Sequence, residues 1–145
     1  MGDADLYYED VEIGDEVGPV VRRVTDEQVE EFVRISIGER DQGRFTDPEV
    51  ARREGLPGPL VPGAMSIALF AQLLAGWSPT ITFKSLDIVF RQVVQHNVPL
   101  TLKGVVTEKN LANGEPQIEC DVFIENADGA RLVMGKATVK VPMRS

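Results

Sequence analysis

The 145-residue sequence is poor in the residues on which much chemistry depends. It has one cysteine, Cys120, one histidine, His96, one tryptophan and two tyrosines. A single cysteine excludes an intrachain disulfide and a thiolate metal cluster, and it makes a reducing compartment, the cytoplasm, the expected location. A single histidine excludes a multi-histidine metal site and leaves a Ser-His-Asp arrangement only one candidate base. Bases are fewer than acids, 15 Lys+Arg against 23 Asp+Glu, for a formal charge of −8. Without a basic stripe, nucleic acid is not an expected partner. No apolar run is long and unbroken enough to suggest a membrane span, and the acidic start has neither the basic region nor the apolar run of a signal peptide. Internal repeats, low-complexity tracts and long Pro/Gly/Ser linkers are also missing, so residues 1–145 read as one domain. Residues 1–10 are expected to be a mobile lead-in, apart from Tyr7 and Tyr8.

What is present begins with 43% hydrophobic residues, enough for a sizeable core. Charge is unevenly placed: residues 1–31 hold eleven acids against Arg22 and Arg23, and the rest of the chain is close to neutral. "VGPVVRRV" reads as a short strand. Thr25-Asp26-Glu27-Gln28 has the form of a capping box, opening a helix with Val29, Phe32, Val33 and Ile37 on one stripe and Glu30, Glu31 and Arg34 off it. The polar stretch "GERDQGRFTD" (38–47) is a loop. Asp47-Pro48-Glu49 then supplies a cap, a first-turn proline and an acid suited to the dipole of a short helix ending near Gly55.

"GLPGPLVPG" is too rich in proline and glycine for regular structure. From Gly63, "GAMSIALFAQLLAGW" is apolar on nearly every side, which predicts a helix surrounded by protein. After residue 79 the chain is strand-like. "TITFKSLDIVFRQVV", "LTLKGVVTEKN", "QIECDVFIEN" and "RLVMGKATVKVP" each alternate, with a tight turn at Asp128-Gly129. Consecutive strands with short loops favour an antiparallel meander. The layout is α+β: a long antiparallel sheet wrapped around one buried helix.

That order of elements, with "YYEDVEIGDEV", "RVTDEQVEEFVRIS", "TDPEVARREGLPGPLVPGAM" and "FRQVVQHNVPLTLKGVV", resembles the MaoC-like branch of the hot-dog fold over roughly residues 7–142. The branch contains (R)-specific enoyl-CoA hydratases and 3-hydroxyacyl dehydratases. In that family the loop reads close to G-D-x-N-P-x-H before x-D-P-E, its Asp and His serving as base and acid on one water. A second segment, G-P-I-V-H-G-M, begins the central helix, where a glycine N–H polarises the thioester carbonyl. Against this pattern Phe45 stands at the loop histidine, Arg40 at the aspartate, and Gln42 and Gly43 at the Asn and Pro. The loop is one residue longer than usual, so Asp41 is in reach of the aspartate's place. Gly63 is kept, and Pro62 replaces the histidine before it.

The resemblance implies catalytic roles for Asp41 and the Gly63 N–H. It implies substrate contacts for Phe45, Pro62, Ala64, Met65, Ser66, Arg40 and Arg44, with no metal and no cofactor. The residues themselves leave alternatives open. Asp41, like Glu39, is either an acid/base in an apolar pocket or a solvated loop acid paired with Arg40 or Arg44. Gly63-Ala64-Met65 is either an oxyanion and tunnel element or simply a tight helix start. Arg40, Arg44, Arg52 and Arg53 either receive the phosphates of CoA or a carrier, or are solvated charges. Ser66 faces substrate or bonds back to the preceding carbonyls. Asp47 reads as a helix cap, His96 as a surface or hairpin histidine, and Cys120 as a small core residue sharing a face with Ile118, Val122 and Ile124.

Three functions follow from the resemblance. The first is a hydro-lyase interconverting 2-enoyl and 3-hydroxyacyl thioesters of CoA or acyl-carrier protein, in fatty acid or polyketide metabolism. The second is a non-catalytic acyl-binding subunit of a heteromeric hydratase, and the third a hot-dog thioesterase. A lone hot-dog sheet leaves an edge and a pocket face open, so a homodimer, or a heterodimer with another hot-dog subunit, is expected.

Overall fold

Alternation of apolar residues sets both the strands and the face they bury. The computed structural model describes residues 5–36 and 43–144. A 3-10 turn (Tyr8–Asp10) precedes β1 (Glu16–Arg22), α1 (Asp26–Ser36), α2 (Pro48–Arg53), α3 (Gly63–Trp77), β2 (Thr82–Phe90), β3 (Leu100–Ala112), β4 (Glu115–Glu125) and β5 (Arg131–Lys140). The strands form one antiparallel sheet in the order β1-β3-β4-β5-β2. Leu69, Phe70, Leu73 and Leu74 of α3 join a core with Leu100, Leu102 and Val106 of β3, Ile118, Cys120, Val122 and Ile124 of β4, and Val133, Ala137 and Val139 of β5. Fully burying a leucine or phenylalanine contributes roughly 1.5–3 kcal/mol, so this interface of helix and sheet is the main source of stability. The architecture is the expected α+β hot dog.

Two local expectations hold in detail. Thr25 Oγ1 accepts from Gln28 N–H at 3.2 Å, and Gln28 Oε1 accepts from Thr25 N–H at 3.0 Å, which closes the start of α1. Val29 and Val33 are its buried stripe, while Ile37 lies outside the described residues. Asp47 Oδ1 accepts from Glu49 N–H at 2.9 Å and caps α2. β3 and β4 are joined by Asn113-Gly114, both at positive φ (54° and 79°), as a two-residue hairpin loop requires.

Three expectations need correction. The strands after residue 79 are not a simple meander: β3, β4 and β5 follow one another, but β2 pairs with β5 at the far edge. The segment 91–99 is long enough to carry the chain back across, and on the way it binds residues 60–61 instead of closing a hairpin. Nor is α3 enclosed on every side by this chain. Ala64, Ile67, Ala68, Gln72 and Ala75 are exposed, with Ile67 47% accessible. Finally, the tying down of the lead-in extends beyond the two excepted tyrosines to Asp10. Tyr8 N–H donates to the Pro142 carbonyl at 2.8 Å, Lys109 lies over the Tyr8 ring, and Arg144 binds both carboxylate oxygens of Asp10 at 2.7 Å. Among the described residues no helix is long and apolar enough to cross a membrane.

Candidate functional site

The start of α3 is built differently from the starts of α1 and α2. Pro62 occupies the cap position with extended backbone (φ −61°, ψ 145°) and has no side chain with which to cap. Met65 N–H turns back to the Pro62 carbonyl at 3.0 Å, and no acceptor among the described residues takes the Gly63 N–H. A free N–H at the positive end of a fifteen-residue helix is suited to an oxygen that gains negative charge.

Gly63 opens onto a cavity of about 410 Å³. Phe45, Leu60, Val61, Phe90, Val93 and Val94 form its apolar walls, and Arg44, Arg91 and Gln92 its polar ones. The Phe90 ring lies so close to Gly63 that a Cβ there would sit 2.7 Å from its Cζ, so only glycine keeps this approach. The wall is held by main-chain bonds: Leu60 N–H to the Arg44 carbonyl at 2.9 Å, Val61 N–H to the Val94 carbonyl at 2.8 Å, and a bridge from Leu60 to Gln95. The polar groups are unequal. Arg44 is paired with Glu54 at 3.1 Å, whereas the exposed Arg91 side chain has no acid partner among the described residues. No carboxylate or imidazole belongs to the described lining.

The sequence-expected residues separate accordingly. Gly63, Phe45 and Arg44 meet at the cavity. Asp41, Arg40 and Glu39 lie outside the described residues. Pro62 is buried immediately before the helix, Met65 packs against the core, and Ala64 is on the open side of α3. Ser66 is fully buried, and its Oγ has no hydrogen-bond partner among the described residues, so it does not bond back to the preceding turn. Arg52 pairs with Glu49, and Arg53 Nε reaches the Glu49 carbonyl, both away from the cavity lining.

Cys120 is completely buried, and burial pushes its thiol pKa up to about 12, as suits a core residue. His96 departs from the surface reading. Its side chain is 5% exposed, with Nδ1 2.8 Å from Asp26 Oδ1 and Nε2 2.9 Å from the Leu60 carbonyl. The hydrogen bond to His96 holds the Asp26 carboxyl below its ordinary pKa; desolvation opposes it, and the hydrogen bond from Asn97 adds a smaller lowering. Sequence reasoning missed Phe90, Arg91 and Gln92. The available signal was "FRQVVQHN" itself, which alternates like a strand and then loses its alternation as it leaves β2.

No family model and no curated protein matches the sequence. Solved structures do match the fold. An (R)-hydratase from A. caviae involved in PHA biosynthesis is 24% identical, with a TM-score of 0.80 over 92% of this chain and 99% of that one. A MaoC-like dehydratase from Rhodospirillum rubrum is 21% identical, with a TM-score of 0.81 over 97% of this chain and 99% of that one. A chain of the C-terminally truncated HadBC (3R-hydroxyacyl-ACP dehydratase) complex from Mycobacterium tuberculosis is 19% identical, with a TM-score of 0.75 over 88% and 95%. With the helix, sheet order and cavity already described, these likenesses give the chain the hot-dog fold seen in MaoC-like hydratases and dehydratases.

Proposed function

We propose that this chain is a MaoC-like acyl thioester hydratase or dehydratase, interconverting a 2-enoyl and a 3-hydroxyacyl group carried on CoA or a carrier protein. The observation that carries the proposal is Gly63, whose N–H has no acceptor among the described residues, in the lining of a mainly apolar cavity in the fold of the (R)-hydratases. In hydration, the oxygen of water bonds to C3, a proton is delivered to C2, and the thioester oxygen carries the enolate charge between these events. The Gly63 N–H and the α3 dipole stabilise that charge most when it is greatest, which lowers the barrier instead of merely tightening binding. Asp41 is assigned the proton transfers: it takes a proton from water and returns one to C2. Phe45, Val61 and Phe90 exclude bulk water from the acyl group. The test is hydration of a short 2-enoyl-CoA by the purified chain, followed by loss of the enoyl thioester absorbance. Asp41→Asn should cost about 10²–10⁴ in rate; an unchanged rate removes Asp41 from the mechanism.

A second reading, an acyl-binding subunit, is favoured by one specific feature. The two positions where the resembling pattern has histidines hold Phe45 and Pro62, and no described lining residue is an acid or imidazole. On this reading the chain is inactive alone and gains turnover with a second hot-dog chain. In either case a hot-dog partner, identical or not, covers the open side of α3 around Ile67 and the edge strand β2 with its exposed Phe83 and Val89. Mass in solution, measured beside activity in one preparation, separates the readings: a fully active homodimer excludes the second. Release of free thiol from acyl-CoA would instead identify a thioesterase.

A further inference from the structure

His96 stands where three parts of the molecule meet, outside the described lining of the cavity. Its nearly buried ring lies between two groups that only accept hydrogen bonds: the Asp26 carboxylate, 2.8 Å from Nδ1, and the Leu60 carbonyl, 2.9 Å from Nε2. A neutral imidazole donates from one nitrogen only, so both bonds together require the imidazolium. In the neutral ring, one lone pair would face an acceptor's lone pair in a place with little access to water.

Other charged groups meet at the same corner. Asp26, in the first turn of α1, is the carboxylate on the ring and also accepts from Asn97 Nδ2 at 3.0 Å. Arg23 reaches the same corner but donates to the Asn97 carbonyl at 2.8 Å. On the cavity side, Arg44 directs its guanidinium to Glu54, leaving the Leu60 carbonyl to His96. The carbonyl of Leu60 and the N–H of Val61 belong to one peptide unit. That unit is held at both ends, by His96 on one side and by the Val94 carbonyl, 2.8 Å away, on the other. Pro62 and Gly63 follow it directly.

We propose that His96, as an imidazolium, is a positioning residue that ties the first turn of α1 to the cavity wall leading into Gly63, so that loss of its ring proton loosens that wall. The sign follows from the geometry. The tie is complete while the ring is protonated and Asp26 ionised, and it weakens as pH rises and one of the two ring bonds is lost. The proposal concerns the wall and does not depend on which reaction the cavity serves.

Amide hydrogen exchange followed by NMR, expressed as protection factors from pH 6 to 9, tests it without an activity assay. Val61 protection should fall about tenfold as the ring loses its proton, while the amides of Ile118 and Val122 in β4 stay level. In His96→Phe, Val61 should be weakly protected at every pH and β4 unchanged. In Asp26→Asn the side-chain amide can donate to Nδ1 of a neutral ring whose Nε2–H stays on the Leu60 carbonyl, so the Val61 step should shrink or vanish. Constant Val61 protection in the unaltered chain would overturn the proposal. An equal loss at Val61 and in β4 in the His96 variant would overturn it too, because that pattern reports general destabilisation. Should the His96 variant not fold, Asp26→Asn decides on its own: a Val61 step as large as in the unaltered chain would overturn the proposal. A negative hydration assay would leave all of these outcomes intact.

Discussion

The helix starts at Asp26 and Pro48 are closed by side chains supplied by the sequence, Thr25 with Gln28 for one and Asp47 for the other. The start at Gly63 is left open: a proline precedes it, and the glycine that leads it lines a cavity with mainly apolar walls. Capping a helix typically stabilises it by about 1 kcal/mol. An uncapped start therefore forgoes stability that the other two secure, and it leaves a donor ready for an oxygen from elsewhere. Within one chain, two helix starts are closed by side chains and the third leaves its Gly63 N–H without an acceptor among the described residues, which is why the proposed chemistry is assigned to it.

The sharpest way to break that comparison is Gly63→Val. A Cβ there meets Phe90 Cζ at 2.7 Å, so the ring is driven into the cavity. Turnover should fall about 10²-fold or more, with the melting temperature little changed; an active Gly63→Val chain would place the substrate elsewhere. Pro62→Ser follows, since its hydroxyl can reach the helix's free N–H groups and compete with a thioester oxygen. A loss of about tenfold in kcat/KM is expected, about the value of one competing hydrogen bond. Thr25→Ala should do the opposite: lower stability by about 1 kcal/mol in thermal or denaturant unfolding and leave kcat/KM unchanged. If the Thr25 variant lost activity at unchanged stability, the division between closed and open ends would fail.

The smallest effect is acid sensitivity. Arg144 holds the Asp10 carboxyl, and His96 holds that of Asp26, below their ordinary values. Their contributions are present above the unfolded carboxylate pKa and are lost as pH falls toward the lower folded value. Asp10→Asn and Asp26→Asn should each flatten the acid limb of a stability-versus-pH curve. A curve with an unchanged limb would show these pairs to be energetically silent.

Legibility in the sequence followed the range of the interaction. The caps at Thr25 and Asp47 use residues two or three positions apart, and both could be read from local spacing. The α+β layout was legible because α3 stays apolar for fifteen residues and the later strands keep their alternation, and the resemblance of the quoted segments added the hot-dog fold. The place of β2 beside β5 was not, since alternation fixes which face a strand buries but not its neighbour. His96 was misread for a related reason. A histidine in a turn is usually solvated, and its partners Asp26 and Leu60 lie 70 and 36 residues away. Arg91 and Phe90 joined the candidate site only when segment 91–99 turned back along residues 60–61.

The buried Cys120 has a consequence for every assay suggested above. A fully covered thiol with its pKa pushed up to about 12 presents almost no thiolate to an electrophilic dye at neutral pH. Native protein should therefore be silent toward a thiol-detecting reagent, so colour developed during turnover would count CoA leaving its acyl group. The same reagent added to unfolding protein should register one thiol per chain. Its labelling rate would then clock the opening of the sheet's centre, with no engineered probe required.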